Sequence, residues 1–520
     1  ISSAAYEAAV VAQGLAWQVS RQAVAAEDIG NAIGTGSQNF GTQITGTIDA
    51  VADRSDIYIG LTGAGKLGTL NASNTASNAK IEVLGDGDIS VDGAISAQSL
   101  IRIETTGGAI INGGGSVTSP ELLALATAGV GTGGGLSTSV DTFAAAAGTG
   151  GVGLANDKAL VIGTVDGTSG VTGDGSVSIA TSSPLTVSQN VTSGNAIDLV
   201  AGNSNSAGDD LTVQDGVQVQ GTAAVSLTAG DHVSLAANSA VSGTAITIIA
   251  DNAGDGAADG VTGGVTAAGT ITGSSVDITG GNLVHSGSIV STGPVRITTI
   301  STGTSAVDGI QLADIQAAGQ TVTISATGTV TAAITDANAG DRNILASDLA
   351  LTGTAGVGTA ADPLETEVSN LAADGGTGGV TIDNTGDLNL QTVSGVTTLS
   401  ATGGAIALTT TGNLGISDAF VQGAGLDVTL TATGGSMVEI APGAAADVVG
   451  STVELHVTGA ASTIGAGPER LEIDATLLNA STEGGGVWLE DTAGGVIVGL
   501  VTTTGAANSV VALRAIGGAI

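Results

Sequence analysis

Few residues in this chain have the types and spacing to do chemistry. Asp209 and Asp210 form an acidic pair after Gly208, and His232 follows twenty-two residues later. Two carboxylates flanking a sugar, helped by a nearby histidine, can cleave a polysaccharide by general acid–base chemistry. The setting argues against that use. The next Lys or Arg after His232 is Arg296, whereas an anionic sugar needs guanidinium or ammonium groups in its cleft. No aromatic residue on which a sugar face could stack lies between Phe143 and Phe420. These acids are expected to serve in turns, and no catalytic residue is assigned.

Metal ligation is the second chemistry to weigh. Calcium takes several oxygen ligands from a flexible turn. The candidates are Asp251, Asp255 and Asp259, which cluster with Asn252 in a Gly-rich loop, and Asp86 and Asp88, which flank Gly87. Counting from Asp251, Ala253 and Thr262 break the EF-hand order, and the nine-residue calcium repeat of secreted toxins is absent. Calcium is thus possible at these acids, with turn formation the simpler reading. His232, His285 and His456 stand apart from one another and the chain has no Cys, which disfavours structural zinc. Gly131–Gly135 is not followed by Lys and Ser or Thr, so it reads as a loop rather than a phosphate cradle.

The elements that must position these residues are short strands. Of 520 residues, 86 are Gly, aromatics make up 1% and charged residues 11%. At 42% hydrophobic residues the chain can offset its conformational entropy, so it is not disordered. Gly without a three-residue period, and only 6 Pro, exclude collagen. A core without aromatics must be thin and filled with Val, Ile, Leu and Ala. The net charge of −37 disfavours nucleic acid, since phosphates call for Lys and Arg. No apolar run approaches the roughly 18 residues of a membrane span.

Residues 1–34 differ from the rest. Val10, Trp17 and Val24 recur every seven positions, and Val11, Leu15 and Val19 every four, which predicts an amphipathic helix over Ala4 to Ala26, serving as a cap or a subunit contact. From residue 35 to 520 the pattern alternates apolar and polar residues over four to six positions. Examples are Lys80–Val83, Asp88–Val91, Ser99–Glu104, Ser176–Ile179, Ala223–Thr228, Ala245–Ile249, Ser275–Ile278, Pro294–Thr298 and Thr321–Ser325. Alternation marks strands with one buried face.

Internal repeats choose among the all-β folds. Leu100–Ile110 recurs in shorter form at Thr398–Ile406, Thr429–Met437 and Ala512–Ile520, each with a Gly-Gly pair between two strand-like segments. A longer unit occurs near 130–165, 357–393 and 464–501. Its apolar positions are Val357, Leu364, Leu371, Val380 and Ile382 in the second copy and Ile464, Leu471, Leu478, Val487 and Leu489 in the third. The first copy, one residue shorter, has Val130, Leu136, Phe143, Val152 and Leu154. Each opens with Val-Gly or Ile-Gly and carries Gly-Gly before its fourth apolar position. Such repetition at irregular separations suits stacked parallel coils, each touching only its neighbours. The expected fold is a right-handed parallel β-helix with coils of about 20–25 residues. Handedness follows the general rule for parallel connections. The last Gly-Gly corner, at Ala512–Ile520, stops mid-pattern, so the natural chain is expected to continue.

Gly358–Leu371, followed by Gly378–Gly386, and the Ala-Thr-Gly-Gly-Ala-Ile corners resemble the repeats of very large bacterial surface proteins similar to filamentous haemagglutinin and autotransporter passengers. That resemblance implies a right-handed β-helix at the cell surface and brings no catalytic residues with it. The expected function is an extracellular structural protein, a fibre, sheath or surface layer built by self-association into a filament or lattice, or part of a longer chain. An adhesin binding a cell-surface glycan or receptor through the segments 113–150 and 251–270 is the alternative, and a polysaccharide-cleaving enzyme the third reading.

Overall fold

The computed structural model describes residues 21–26, 40–42, 46–52, 56–72, 78–202, 208–251, 263–300, 309–328, 330–504, 509–516 and 518–520. Among them every regular element is a strand, and the strands stack in parallel into a β-solenoid of about 18 turns. The chain divides into two compact units, Ile1–Thr247 and Ile248–Ile520. Among the described residues no helix is long and apolar enough to cross a membrane.

The alternating segments become strands because their sequence period matches the pleat. All nine segments named above fall on strands. In Ser275–Gly280 and Thr321–Thr327 burial alternates residue by residue. Inward positions then stack coil upon coil. In the first unit Leu160, Leu185, Leu211 and Val233 form one such column, paired in parallel register and shut away from solvent. In the second unit Val380, Ile406, Val428, Val453 and Leu478 form another. Each buried aliphatic contributes about 1.5–3 kcal/mol of transfer free energy, which replaces the aromatic core that the chain lacks.

Coil length varies while register holds. Partners on adjacent coils are 18 residues apart at Thr366 and Asn384 but 28 apart at Asn190 and Gln218. Between Gly163 and Gly170 extra residues leave the coil sideways. One excursion is a two-residue hairpin in which Thr164–Val165 pairs antiparallel with Thr168–Ser169 around Asp166 and Gly167, both at positive φ. Asp-Gly suits this tight turn because both central residues must be left-handed. On either side the parallel columns continue, Leu160 with Leu185 and Val171 with Val191.

Both repeats have a backbone cause. At the Gly-Gly corners the second glycine lies on the preceding coil: a Cβ on Gly108 would meet Gly87 and Asp88, and one on Gly435 would meet Gly412 and Asn413. Main chain packs on main chain there, and only glycine leaves room. In the long unit, the glycine of each opening Val-Gly or Ile-Gly has positive φ, 71° at Gly131, 63° at Gly358 and 69° at Gly465. A Cβ on these three would collide with the carbonyl oxygens of Gly153, Thr381 and Trp488. The three copies also share one inter-coil bond, from Asp157 N to Thr138 O (2.9 Å), Thr385 N to Thr366 O (2.8 Å) and Thr492 N to Ile473 O (2.9 Å).

The copies diverge in one buried side-chain network. Asn156 Oδ1 accepts hydrogen bonds from Thr138 Oγ1 (2.9 Å) and Val140 N (2.9 Å), while its Nδ2 donates to Val140 O (3.0 Å) and Lys158 O (2.8 Å). Asn384 repeats this with Thr366 Oγ1 (2.9 Å), Val368 N (3.0 Å), Val368 O (3.3 Å) and Thr385 O (3.3 Å). The same positions in the third copy are Ile473 and Asp491, and both carboxylate oxygens of Asp491 are buried without a hydrogen-bond partner.

Two expectations need correction. The helix predicted over Ala4 to Ala26 ends in a strand instead: Arg21–Ala26 pairs in parallel with Thr47–Ala52, because edge pairing on a sheet outweighs the helix propensity of Ala. The rest of that predicted helix lies outside the described residues. The segment 113–150, expected as an irregular binding loop, is mostly strand, comprising Ser116–Ala126, Gly129–Thr132 and Leu136–Ala147. Its Ser, Thr and Ala residues sit in parallel register with neighbouring coils, so Gly richness there marks close stacking rather than a loop.

Candidate functional site

The solenoid places Asp210 and His232 on adjacent coils, because Leu211 pairs with Val233. His232 Nδ1 lies 3.1 Å from Asp210 Oδ1, and its backbone N donates to the same oxygen at 3.1 Å. The bond from His232 holds the Asp210 carboxyl below its ordinary range. Both side chains are substantially exposed, so the pair is worth under about 1 kcal/mol. Asp209 behaves differently. It is buried, and its backbone N donates to Asp231 Oδ2 at 2.9 Å. The acidic pair therefore splits between an exposed ion pair and a buried corner.

The calcium candidates fall in turns. Asp86 accepts a hydrogen bond from Gly63 N on the coil before it, and Asp88 accepts one from Ala109 N (2.9 Å) on the coil after it. They tie coils together. Asp251 is held at a left-handed φ of 57°, while Asp255 and Asp259 lie outside the described residues. Asp336 instead closes its own turn, accepting from Asn338 N (2.8 Å), Ala339 N (2.8 Å) and Asn343 Nδ2 (2.5 Å). His285 is buried, and burial pushes its imidazole down to about 4, against a smaller opposing pull from Asp314. It is a neutral core residue.

One acidic cluster keeps buried carboxylate oxygens without a hydrogen-bond partner. Glu439 comes from the strand Met437–Ala441, Asp447 directly precedes Val448–Ile464, and Glu472 is the second residue of Leu471–Asp491. Val448 pairs with Ile473, so Asp447 and Glu472 stack one coil apart. Asp447 Oδ2 accepts from Glu472 N at 2.9 Å, and Glu439 Oε1 accepts from Gly443 N at 3.0 Å. One oxygen from each of the three carboxylates lies within 4.8 Å of the others. Asp447 is 0% exposed, and its Oδ1, like Glu472 Oε2, is buried with no hydrogen-bond partner.

Electrostatically this is the most frustrated place described. Burial, with the neighbouring Glu439 and Glu472, pushes the Asp447 carboxyl up to about 9. Burial also raises Glu439, followed by the charges of Glu472, Asp418 and Glu469. The charges acting on these two groups are all carboxylates. Such a cluster either shares a proton or holds a cation through oxygen. Sequence reasoning missed it because the three acids come from separate elements and form no Asp-Gly motif. The one available signal was the 25-residue step from Asp447 to Glu472, a coil length.

Against known proteins, the chain matches no protein family, no curated protein and no solved structure.

Proposed function

We propose that this chain is a structural protein of the bacterial cell surface, contributing to a fibre, sheath or surface layer by end-to-end stacking of β-solenoid copies. The observation that carries this reading is the coil-on-coil stacking of buried aliphatic columns in parallel register, such as Val380, Ile406, Val428, Val453 and Leu478, a pattern that a further copy can extend. The acids used as inter-coil ties support the same reading, because they invest the chain's charged groups in stacking. The repeat style shared with filamentous haemagglutinin and autotransporter passengers belongs to this proposal as well.

Sedimentation and electron microscopy of the 520-residue chain test it. Linear assemblies that lengthen with concentration are expected. A chain that stays monomeric as its concentration is raised would overturn end-to-end stacking.

A further inference from the structure

We propose that Glu439, Asp447 and Glu472 form a binding site for one hard divalent cation of calcium type. Asp447 is the second observation beyond a mere gathering of acids. Its side chain is completely buried, one oxygen is fixed by Glu472 N, and the other is buried with no hydrogen-bond partner. An ionised carboxylate in that position is costly unless a positive charge compensates it.

The donor set selects the kind of cation. All three side chains offer oxygen, and the chain has no Cys, so soft or borderline metals gain nothing here. Two oxygens on opposite sides of a calcium ion at about 2.4 Å stand about 4.8 Å apart. One oxygen from each carboxylate lies within that span of the others, so the three can face one ion. Magnesium demands a tighter octahedron and retains its waters, so it should bind more weakly. Three carboxylates carry more charge than one divalent ion, and Asp418 and Glu469 add to the surrounding negative field. The ion would bridge acids held on separate strands and pin one coil to the next.

The test uses the full chain, stripped of metal with a chelator and titrated calorimetrically with calcium, then with magnesium. One equivalent of calcium should bind with at least tenfold preference over magnesium and raise the thermal midpoint. Asp447→Asn should weaken calcium binding at least tenfold and abolish the thermal shift. That variant removes a buried repulsion, so it is expected to fold, and circular dichroism checks this. Glu439→Gln, at a half-buried position, serves as the second variant and should weaken binding in the same direction. The proposal is overturned if the wild-type chain binds no calcium while Asp447→Asn is simply more stable, which is the signature of a shared proton. It is equally overturned if both variants bind calcium as the wild type does.

Discussion

Two equivalent corners of the second unit, at Asn384 and at Asp491, differ in the buried side chain and in its neighbour, Thr366 in one and Ile473 in the other. Both belong to units opened by a left-handed glycine, Gly358 and Gly465, and both make the same inter-coil bond, Thr385 N to Thr366 O and Thr492 N to Ile473 O. Asn384 engages Thr366, Val368 and Thr385 through its amide. Asp491, only 2% exposed, has neither carboxylate oxygen bonded. The corner keeps its shape in both cases. Glycine and main chain therefore set the geometry, while the amide network adds stability to a turn already formed.

The largest test converts the first corner into the second. Asn384→Asp removes both donors and places a charge in a dry site. It should cost about 3–5 kcal/mol at neutral pH, read as a lower denaturation midpoint. A cost near zero would break the comparison, because it would mean the network contributes nothing. The reverse change is smaller. Asp491→Asn should stabilise the chain by about 1–3 kcal/mol at pH 7.

The pH dependence of that gain has a definite sign. Burial raises the Asp491 carboxyl above its ordinary range, and the charge of Asp474 adds to the rise. The folded state therefore holds its proton more tightly than the unfolded one. The penalty is absent below the unfolded carboxyl value near pH 3.9, grows as pH rises, and is complete above the folded value. Denaturation midpoints of Asp491→Asn and wild type should converge in acid and separate toward neutrality. The smallest effect is a coupling. Adding Ile473→Thr to Asp491→Asn restores the residue pair of the second copy. A double-mutant cycle should show about 0.5–1 kcal/mol of favourable interaction, even though the lost aliphatic burial makes Ile473→Thr alone unfavourable.

Much of the architecture was legible because it is written in periods. Val357, Leu364, Leu371, Val380 and Ile382 announce a coil by their spacing, and the Val-Gly opening announces a turn that only glycine can make. The twenty-two-residue step from Asp210 to His232 is one coil length, and the two side chains meet across it, which the reading of the acids as turn residues did not foresee. Other features carry no period. Thr366 and Asn384 look like ordinary polar residues in alternating strands, and only the inward turn of the corner buries them. Glu439, Asp447 and Glu472 meet through stacking that no local motif encodes. Arg21–Ala26 reads as helix because Ala favours it locally, yet an available sheet edge recruits it as strand. In each case the missing information is which coil lies beneath which.

The hairpin at Asp166 and Gly167 has a consequence for how such a chain can change. Its tip meets open space: a Cβ on Gly167 would have no neighbour within 4 Å. Arg102 bonds Asp166 in the turn at 2.7 Å, and Val165 below it is buried. The columns on either side continue unbroken. Sequence can therefore be grafted at this tip, as a tag, an epitope or a new recognition loop, while the coils above and below keep their register. In a fold whose interior is repetitive, novelty has a place to accumulate at right angles to the stack.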